Sequence, residues 1–418
     1  QYQHYNFICP KTRFIKELSD YFPDEKQAIQ DYIQLIDQSV KTGVSYFGNK
    51  ALPNLISNLS YPFMTRKFMS FAGRTTYDVI SGLTKNEKLI GVLTGQWGDH
   101  GLPPRQSSFA MHAMVARHYL DGGNYPIGSA RRIAETITDV IEKQGGKVAV
   151  NAGVDEICVK NGSAESVILE NGDELSAPII ISGSGILNTY GRFLRNHPHS
   201  KKFKERLKKV KQTESFICLF IGLNKSAQDL GIKNTNLWIY PGYDHDKNVS
   251  NYQSDQEAEF PVVYVSFPSA KDPVYQEKYP KNATMEAITL AHWSWWDKWK
   301  NGAWKKRGDE YEAEKENLSQ RILNKVFKHV PKAKDALDYY ELSTPLTVKS
   351  LANYPLGEMY GINHTPKRFK QRWLKPKTEI KGLYITGQDM FTVGVSSALL
   401  SGLATVSSIL KKNMFKTL

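Results

Sequence analysis

Two zones of strand, turn and helix enclose a long middle block, and this arrangement restricts the fold more than any other feature of the sequence. In the first zone, residues 121–190, a loop rich in glycine leads to a predicted helix and to short strands with Asn-Gly turns. In the second zone, residues 375–418, a strand ends at Gly387 and a helix is predicted from about Val395 to Leu410. This pattern is typical of a discontinuous nucleotide-binding domain that contains an inserted domain.

The middle block, residues 190–350, has a different character. It combines charged helices with predicted strands over residues 215–223 and 262–266 and with tryptophans within residues 293–296. With 418 residues, of which 40% are hydrophobic and 23% charged, the chain has a globular composition and room for two or three domains. We therefore expect a second domain in the middle of the sequence.

The cysteine pattern argues against disulfide bonds and against a metal site. Three cysteines, Cys9, Cys158 and Cys218, cannot form a disulfide framework, and an odd number suits a reducing compartment. The sequence has no Cys-x-x-Cys motif and no cluster of cysteine and histidine, which are the usual ligands of zinc. We therefore expect no metal ion and a cytoplasmic protein.

The chain is basic, with 55 lysines and arginines against 42 acidic residues and a net charge of +13. The positive charges concentrate at residues 200–211 and 297–307. We interpret both segments first as solvated helix surfaces. Contact with anionic lipid is the alternative, which would make the protein a peripheral membrane protein. No nucleic-acid recognition motif accompanies the charge, so we expect no nucleic-acid partner.

Residues 390–410 contain no charged side chain, and a helix of this length could cross a bilayer. However, the segment contains serines, threonines and glycines throughout, so it is only weakly apolar. We therefore predict a helix that packs its small residues against the rest of the protein.

The turn after the second-zone strand has a clear chemical use. Gly387 would let a ligand approach the backbone, and Asp389 offers a carboxylate to a sugar or ribityl hydroxyl. The helix that follows Gly394 would present backbone N–H groups and a partial positive charge, which a flavin needs near its pyrimidine when it becomes anionic. The alternative is an ordinary strand–turn–helix with a capping aspartate. In the first zone, the strands after residue 147 could hold an adenine edge through main-chain atoms, or form a plain meander.

Several longer motifs then follow one another in a fixed order. They are GQWGDHGLPP at residues 95–104, SFAMH at 108–112, HYLDGGNYPIG at 118–128, SGSGILNTY at 182–190, STPLT at 343–347, YPLGEMYG at 354–361 and GLYITGQDMFT at 382–392. With these motifs the chain resembles the retinol saturase and carotenoid isomerase branch of the flavin-dependent desaturases. The resemblance extends from about residue 95 to the C-terminus and is looser before it.

The resemblance implies an α/β fold, in which a discontinuous FAD-binding Rossmann-like domain carries an inserted α+β substrate domain. It implies FAD as the cofactor, with NAD(P)H as a candidate electron donor. The predicted parts are a mainly helical substrate- and membrane-facing part at 1–120, FAD-binding parts at 121–190 and 351–418, and a substrate domain at 191–350. Family members reduce, desaturate or isomerise conjugated polyenes such as retinoids and carotenoids.

The resemblance also assigns site residues. Asp389 would meet the ribityl chain, and Gly387 would allow its approach. The flavin ring would lie at the helix start beside Gly394, Val395 and Ser396, and the adenine would contact the backbone of Val154. Gly183 and Gly185 would line the cofactor channel. The substrate domain would meet the flavin at Tyr125, Pro126 and Gly128.

One element of the family pattern is not found in this sequence. The family opens with a strand, a G-x-G-x-x-G turn and a helix, followed by an acidic residue about 20 positions further on. Residues 122–128 are no substitute, because their glycine spacing is wrong and no strand precedes them. We therefore expect the chain as given to lack the N-terminal unit with its pyrophosphate cradle and ribose carboxylate.

The resemblance predicts hydride transfer at flavin N5 to or from a conjugated isoprenoid lipid, with a proton moving at the neighbouring carbon. The candidate proton donors are Glu341, Tyr360 and His364, although each could have a structural role instead. A redox-neutral cis–trans isomerase and a lipid-binding flavoprotein remnant without activity are the alternatives. The sequence leaves the direction of the reaction and the oligomeric state open.

Overall fold

The computed structural model describes residues 2–417, which divide into two compact units. Unit 1 consists of the residues up to Gly122, Asn151–Thr213 and the residues from Tyr360 onwards, whereas unit 2 consists of Gly123–Val150 and Glu214–Met359. The first sequence zone, 121–190, is thus shared between the units. Most of the middle block, from Glu214 onwards, belongs to unit 2.

Unit 1 begins with a bundle of helices. Its helices are α1 (Lys11–Tyr21), α2 (Lys26–Ala51), α3 (Asn54–Ala72), α4 (Thr76–Ile80), α5 (Glu87–Leu93), α6 (Phe109–Tyr119), α8 (Ser200–Leu207), α15 (Pro366–Phe369) and α16 (Val395–Leu410). Helix α2 forms because its apolar residues recur with helical spacing, so that Ile29, Ile33 and Ile36 are all buried on one face. The rings of Tyr46 and Phe68 stack with their centroids 4.3 Å apart and join α2 to α3.

Two small sheets complete unit 1. Strands β1 (Val154–Lys160), β2 (Ser163–Leu169) and β3 (Glu174–Ser176) form an antiparallel meander. The Asn-Gly turns predicted within this meander lie at residues 161–162 and 171–172. Strands β4 (Ile180–Ser182) and β10 (Leu383–Ile385) pair in parallel, although 200 positions of sequence separate them. Helix α16 packs its buried Ala404 into the same core as Ile385.

Unit 2 is built on an antiparallel five-stranded sheet. Its strands are β5 (Ser215–Leu223), β6 (Leu237–Ile239), β7 (Val263–Ser266), β8 (Ala283–Ala291) and β9 (Leu337–Ser343), and their order in the sheet is β6-β7-β8-β5-β9. Its helices are α7 (Arg131–Lys143), α9 (His245–Ser254), α10 (Pro268–Lys271), α11 (Pro273–Lys278), α12 (Trp293–Trp296), α13 (Asp309–Phe327) and α14 (Pro345–Ala352). Strand β5 has the predicted bounds. Its odd-numbered residues, such as Leu219 and Ile221, are buried, whereas Phe220 on the opposite face is 45% exposed.

Helix α16 occupies the segment that could have crossed a membrane. It buries the small residues Ser401 and Ala404, as predicted, but leaves Leu399 and Leu410 exposed on its other face. Within residues 2–417, no helix combines the length and the apolar character needed to cross a bilayer.

Candidate functional site

The candidate cofactor site lies where β4 and β10 end side by side in unit 1. Ile385 is the Cα partner of Ser182, and the backbone N–H of Thr386 donates to the carbonyl of Ser182 over 2.9 Å. Gly183 is the first residue after β4, and Gly387 is the second residue after β10. The carboxyl ends of neighbouring parallel strands are the usual ligand site of doubly wound sheets.

Asp389 lies directly behind this edge and holds the backbone together. Its Oδ2 accepts a hydrogen bond from the N–H of Ile186 over 2.8 Å, and its Oδ1 accepts one from the N–H of Ile362 over 2.9 Å. The residue is only 4% exposed. An ideal Cβ on Gly361, where φ is +62°, would lie 2.2 Å from Oδ1, so only glycine fits there. A ribityl hydroxyl at Asp389 would have to use a second lone pair of these oxygens.

Arg368 completes this arrangement, and no pattern in the sequence indicated its role. The buried guanidinium donates to the carbonyls of Gln388 and Phe391, each over 2.8 Å, and to the carbonyl of Ile362 over 2.5 Å. Burial lowers the pKa of Arg368 to about 10, and the nearby Asp389 opposes this change. The charge therefore fixes the loop that leads from β10 to α16.

The first turn of α16 is open to a ligand. Its first intrahelical bond joins the N–H of Ala398 to the carbonyl of Gly394, so the N–H groups of residues 395–397 lack intrahelical partners. No side chain caps this end, and a Cβ on Gly394 would meet no atom within 4 Å. Val395 is 55% exposed and Ser396 is exposed as well. This helix end can therefore stabilise negative charge on a bound group.

His364 supports the start of α16 from inside the protein. Its Nε2 accepts a hydrogen bond from the N–H of Val393 over 3.1 Å, which places its proton on Nδ1. Two more buried histidines lie in unit 1: the ring centroids of His100 and His112 are 6.4 Å apart, and His112 Nε2 is 2.8 Å from the hydroxyl of Tyr32. Burial lowers the pKa of His100 to about 3, of His112 to about 4, and of His364 well below its usual value.

The other two candidate proton donors have different surroundings. Tyr360 is half-buried in unit 1, where its N–H donates to Thr213 Oγ1 over 3.1 Å and its ring lies against Gly101. Glu341 belongs to unit 2, on β9, where it is exposed and accepts a hydrogen bond from the hydroxyl of Tyr339 over 3.0 Å. Tyr360 and His364 therefore lie on either side of Ile362, whose N–H donates to Asp389.

The remaining predicted residues are shared between the units. Gly185 lies in unit 1 beside Asp389, and Val154 begins β1, opposite Leu169. The predicted substrate residues Tyr125, Pro126 and Gly128 form a loop of unit 2. Among residues 2–417, no group of three or more His, Cys, Asp and Glu side chains is arranged to hold a metal ion.

Two solved structures have a similar fold. An oxidoreductase from Methanosarcina mazei has a TM-score of 0.55 and is 15% identical, with 87% of this chain and 74% of that chain covered. Wild-type putrescine oxidase bound to putrescine has a TM-score of 0.53 and is 13% identical, with 98% of this chain and 78% of that chain covered. The predicted α/β fold class is therefore confirmed.

Sequence relatives are more specific, although no family model matches the chain. The all-trans-retinol 13,14-reductase of Danio rerio is 33% identical, covering 98% of this chain and 70% of its own length. The reductase of the same name from Macaca fascicularis is 30% identical over all of this chain and 71% of its own length. A Danio rerio protein named an inactive all-trans-retinol 13,14-reductase is 28% identical over 98% of this chain and 70% of its length.

More distant relatives confirm the wider resemblance. A phytoene desaturase of Rhodobacter capsulatus is 27% identical over 67% of this chain and 52% of its own length. The chloroplastic prolycopene isomerase of Daucus carota is 26% identical over 70% of this chain and 45% of its own length. With a relative 33% identical over nearly its whole length, this chain is an oxidoreductase of the all-trans-retinol 13,14-reductase family.

Proposed function

We propose that the protein is an FAD-dependent oxidoreductase that reduces a C=C bond of a conjugated, retinoid-type polyene. The observation that carries this proposal is the 33% identity to a retinol reductase over 98% of the chain. Unit 1 supplies the structural support, because an uncapped helix start and glycine-lined strand ends lie where the related fold would hold a cofactor.

The residues of unit 1 fit the ribityl and flavin-ring part of FAD. Gly183 after β4 and Gly387 after β10 contribute no side chains to this edge, and Gly394 leaves the start of α16 open. The N–H groups of Val395 and Ser396 could face the pyrimidine edge of the ring, and Val154 could face the adenine through its backbone. A reduced flavin supplies a hydride from N5 when it is bound.

The residues of this chain would position the reactants and supply a proton. The helix start of α16 favours negative charge beside it, and Arg368 and Asp389 keep that helix start in place. His364 Nδ1 is a buried proton carrier without a hydrogen-bond partner in the described part of the chain. Together with Tyr360 it is a candidate source of the proton for the carbon next to the one that accepts hydride.

The polyene itself would lie on the half-open face of the sheet of unit 2. Cys218, Phe220 and Ile288 share this face, because paired residues of neighbouring strands project to the same side. Tyr264 pairs with Ile288 and extends the surface toward β6. An elongated apolar molecule gains most from a surface of this shape and composition.

Anaerobic incubation with all-trans-retinol tests the proposed function. The protein, purified in the presence of FAD, should show a visible flavin absorbance band and, with a chemical reductant or NAD(P)H, should yield a product heavier by one H2. An isomer of unchanged mass, formed without consumption of the reductant, would favour the isomerase alternative. Protein without a flavin band and without product would favour the alternative of a lipid-binding flavoprotein remnant without activity. One relative of this chain is itself named inactive.

We also propose that α3 makes the protein a peripheral membrane protein. Leu55, Leu59 and Phe63 lie on one helix face and are exposed, with Phe63 86% exposed, and Arg66 and Lys67 follow them. Large exposed apolar side chains beside basic ones suit an anionic bilayer surface.

Liposome flotation with anionic vesicles is expected to lift the wild-type protein. The double variant Leu59→Glu and Phe63→Glu should stay at the bottom, because it places two carboxylates on the lipid-facing side. The matched control Leu351→Glu, at an exposed leucine of unit 2, should float like the wild type. If the double variant floats as well, α3 is not the contact surface.

A further inference from the structure

A charged pair lies on the open face of the sheet in unit 2, close to the apolar residues Phe220 and Ile288. Ser266, Glu286 and Phe220 form one cross-strand row through β7, β8 and β5. Each neighbour in such a row is about 5 Å away. Glu286 is the one acidic residue of β8, and it stands half-buried between apolar residues of its own face, Ile288 and Phe220.

Lys271 brings a positive charge to the same row. Its Nζ donates to Ser266 Oγ over 2.9 Å and to Asn236 Oδ1. An ammonium group has three N–H donors, so these two bonds leave one donor. Burial lowers the pKa of Lys271, and Glu286 opposes that change; burial raises the pKa of Glu286, and Lys271 opposes that change. The two groups therefore lie close enough to influence each other.

The loop of the predicted substrate residues closes over this pair. The Nζ of Lys271 is 5.9 Å from the ring centroid of Tyr125. The buried Asp272 accepts a hydrogen bond from the N–H of Gly128 over 3.0 Å, which anchors the loop next to Lys271. An aromatic ring, a carboxylate and an ammonium therefore lie close together on this face of the sheet.

The pair of Lys271 and Glu286 favours an alcohol as its ligand. An alcohol both donates and accepts a hydrogen bond, so it can donate to Glu286 and accept from the third N–H of Lys271. A carboxylate in the same place would be repelled by Glu286, and a hydrocarbon end would leave both charges without a new partner.

We propose that Lys271 and Glu286 bind the terminal hydroxyl of a polyene alcohol and thereby select alcohols over esters and hydrocarbons. This inference rests on the proposed function, because it assumes that the polyene lies on the open face of the sheet. It assigns a polar anchor for the ligand to the open face of the unit 2 sheet.

Equilibrium binding measured by ligand fluorescence tests the proposal without turnover. The wild-type protein should bind all-trans-retinol about tenfold or more tightly than retinyl acetate, because a hydrogen bond to a charged group is lost in the ester. Lys271→Met should weaken retinol binding by a similar factor. Glu286→Gln keeps the shape of the side chain and should also reduce the preference for the alcohol. Lys281→Met, at an exposed lysine, should bind both ligands like the wild type.

The outcomes separate the inference from the function on which it rests. Wild-type protein that binds neither retinol nor its acetate would contradict the proposed function itself. Three outcomes would overturn the inference and leave the proposed function standing: wild-type protein that binds both ligands equally, a folded Lys271→Met variant that binds retinol as tightly as the wild type, or a folded Glu286→Gln variant that keeps the full preference. Circular dichroism shows whether each variant is folded. If Lys271→Met is unfolded, the conservative variant Glu286→Gln alone tests the inference.

Discussion

The free energy of unfolding should fall steeply as the pH decreases from 6.5 toward 4, because unit 1 buries three histidines in neutral form. Burial lowers the folded-state pKa of His100 to about 3 and of His112 to about 4, and lowers that of His364 as well. In the unfolded chain the same residues take up protons near pH 6.5. The stability is therefore fully present above pH 6.5 and is lost as the pH falls toward the folded values.

Asp99 acts in the opposite direction in the same pH range. Burial raises its pKa to about 7, so the folded protein keeps a proton that the unfolded chain has released above pH 4. Three histidines against one aspartate leave a net uptake of two protons on unfolding. The expected slope near pH 5 is therefore about 2.7 kcal/mol per pH unit, a large part of the stability of an ordinary domain.

Urea unfolding at a series of pH values between 7 and 4.5 measures this slope. Asp99→Asn removes the opposing group, so its slope should rise toward about 4 kcal/mol per pH unit. His100→Phe should reduce the wild-type slope by the contribution of one proton, about 1.4 kcal/mol per pH unit. The control His118→Gln, at an exposed histidine, should leave it unchanged. A stability that stays constant between pH 7 and pH 5 would contradict the prediction.

The local elements of this fold could be predicted from the sequence, but the contacts that join them could not. The strand at residues 215–223 and the helix Val395–Leu410 follow from periodicity and glycine positions, which act over a few residues. Arg368, in contrast, bonds to main-chain carbonyls 20 to 23 positions away, and any residue type supplies a carbonyl. Lys271 likewise meets Asn236 from 35 positions away. Glu286 gave a weak signal, as one acid in an apolar strand.

The candidate site shows the same limit. The sequence correctly placed glycines at the ends of β4 and β10 and an open helix start at Gly394, because these depend on local turn chemistry. It predicted Asp389 as a ribityl contact, and the structure adds that both oxygens already accept main-chain hydrogen bonds. That second role requires Gly361 to lie against Asp389, which only the folded chain reveals.

Replacing Arg368 by methionine should destabilise unit 1 by about 3–5 kcal/mol, which is the usual effect of removing one partner from a buried charged network. The variant would leave the carbonyls of Ile362, Gln388 and Phe391 without their donor and the carboxylate of Asp389 without its buried counter-charge. Arg368→Lys keeps the charge but not the planar fork, so it should recover only part of the loss. Arg372→Met, at an exposed arginine that bonds to Asn58, should change the stability by less than about 1 kcal/mol.

Hydrogen exchange then distinguishes a general loss of stability from the specific role of Arg368. The guanidinium holds the loop from Gln388 to Phe391, and that loop sets where α16 begins. In the Arg368→Met variant, the amides of the loop and of the first turns of α16 should therefore lose protection before those of α2, which lies in the same unit. Equal loss of protection in both helices would mean that Arg368 only adds to the stability of unit 1. Selective loss at α16 would instead show that the candidate cofactor site depends on a buried charge that binds main-chain carbonyls, and Arg368→Lys should then restore that protection only in part.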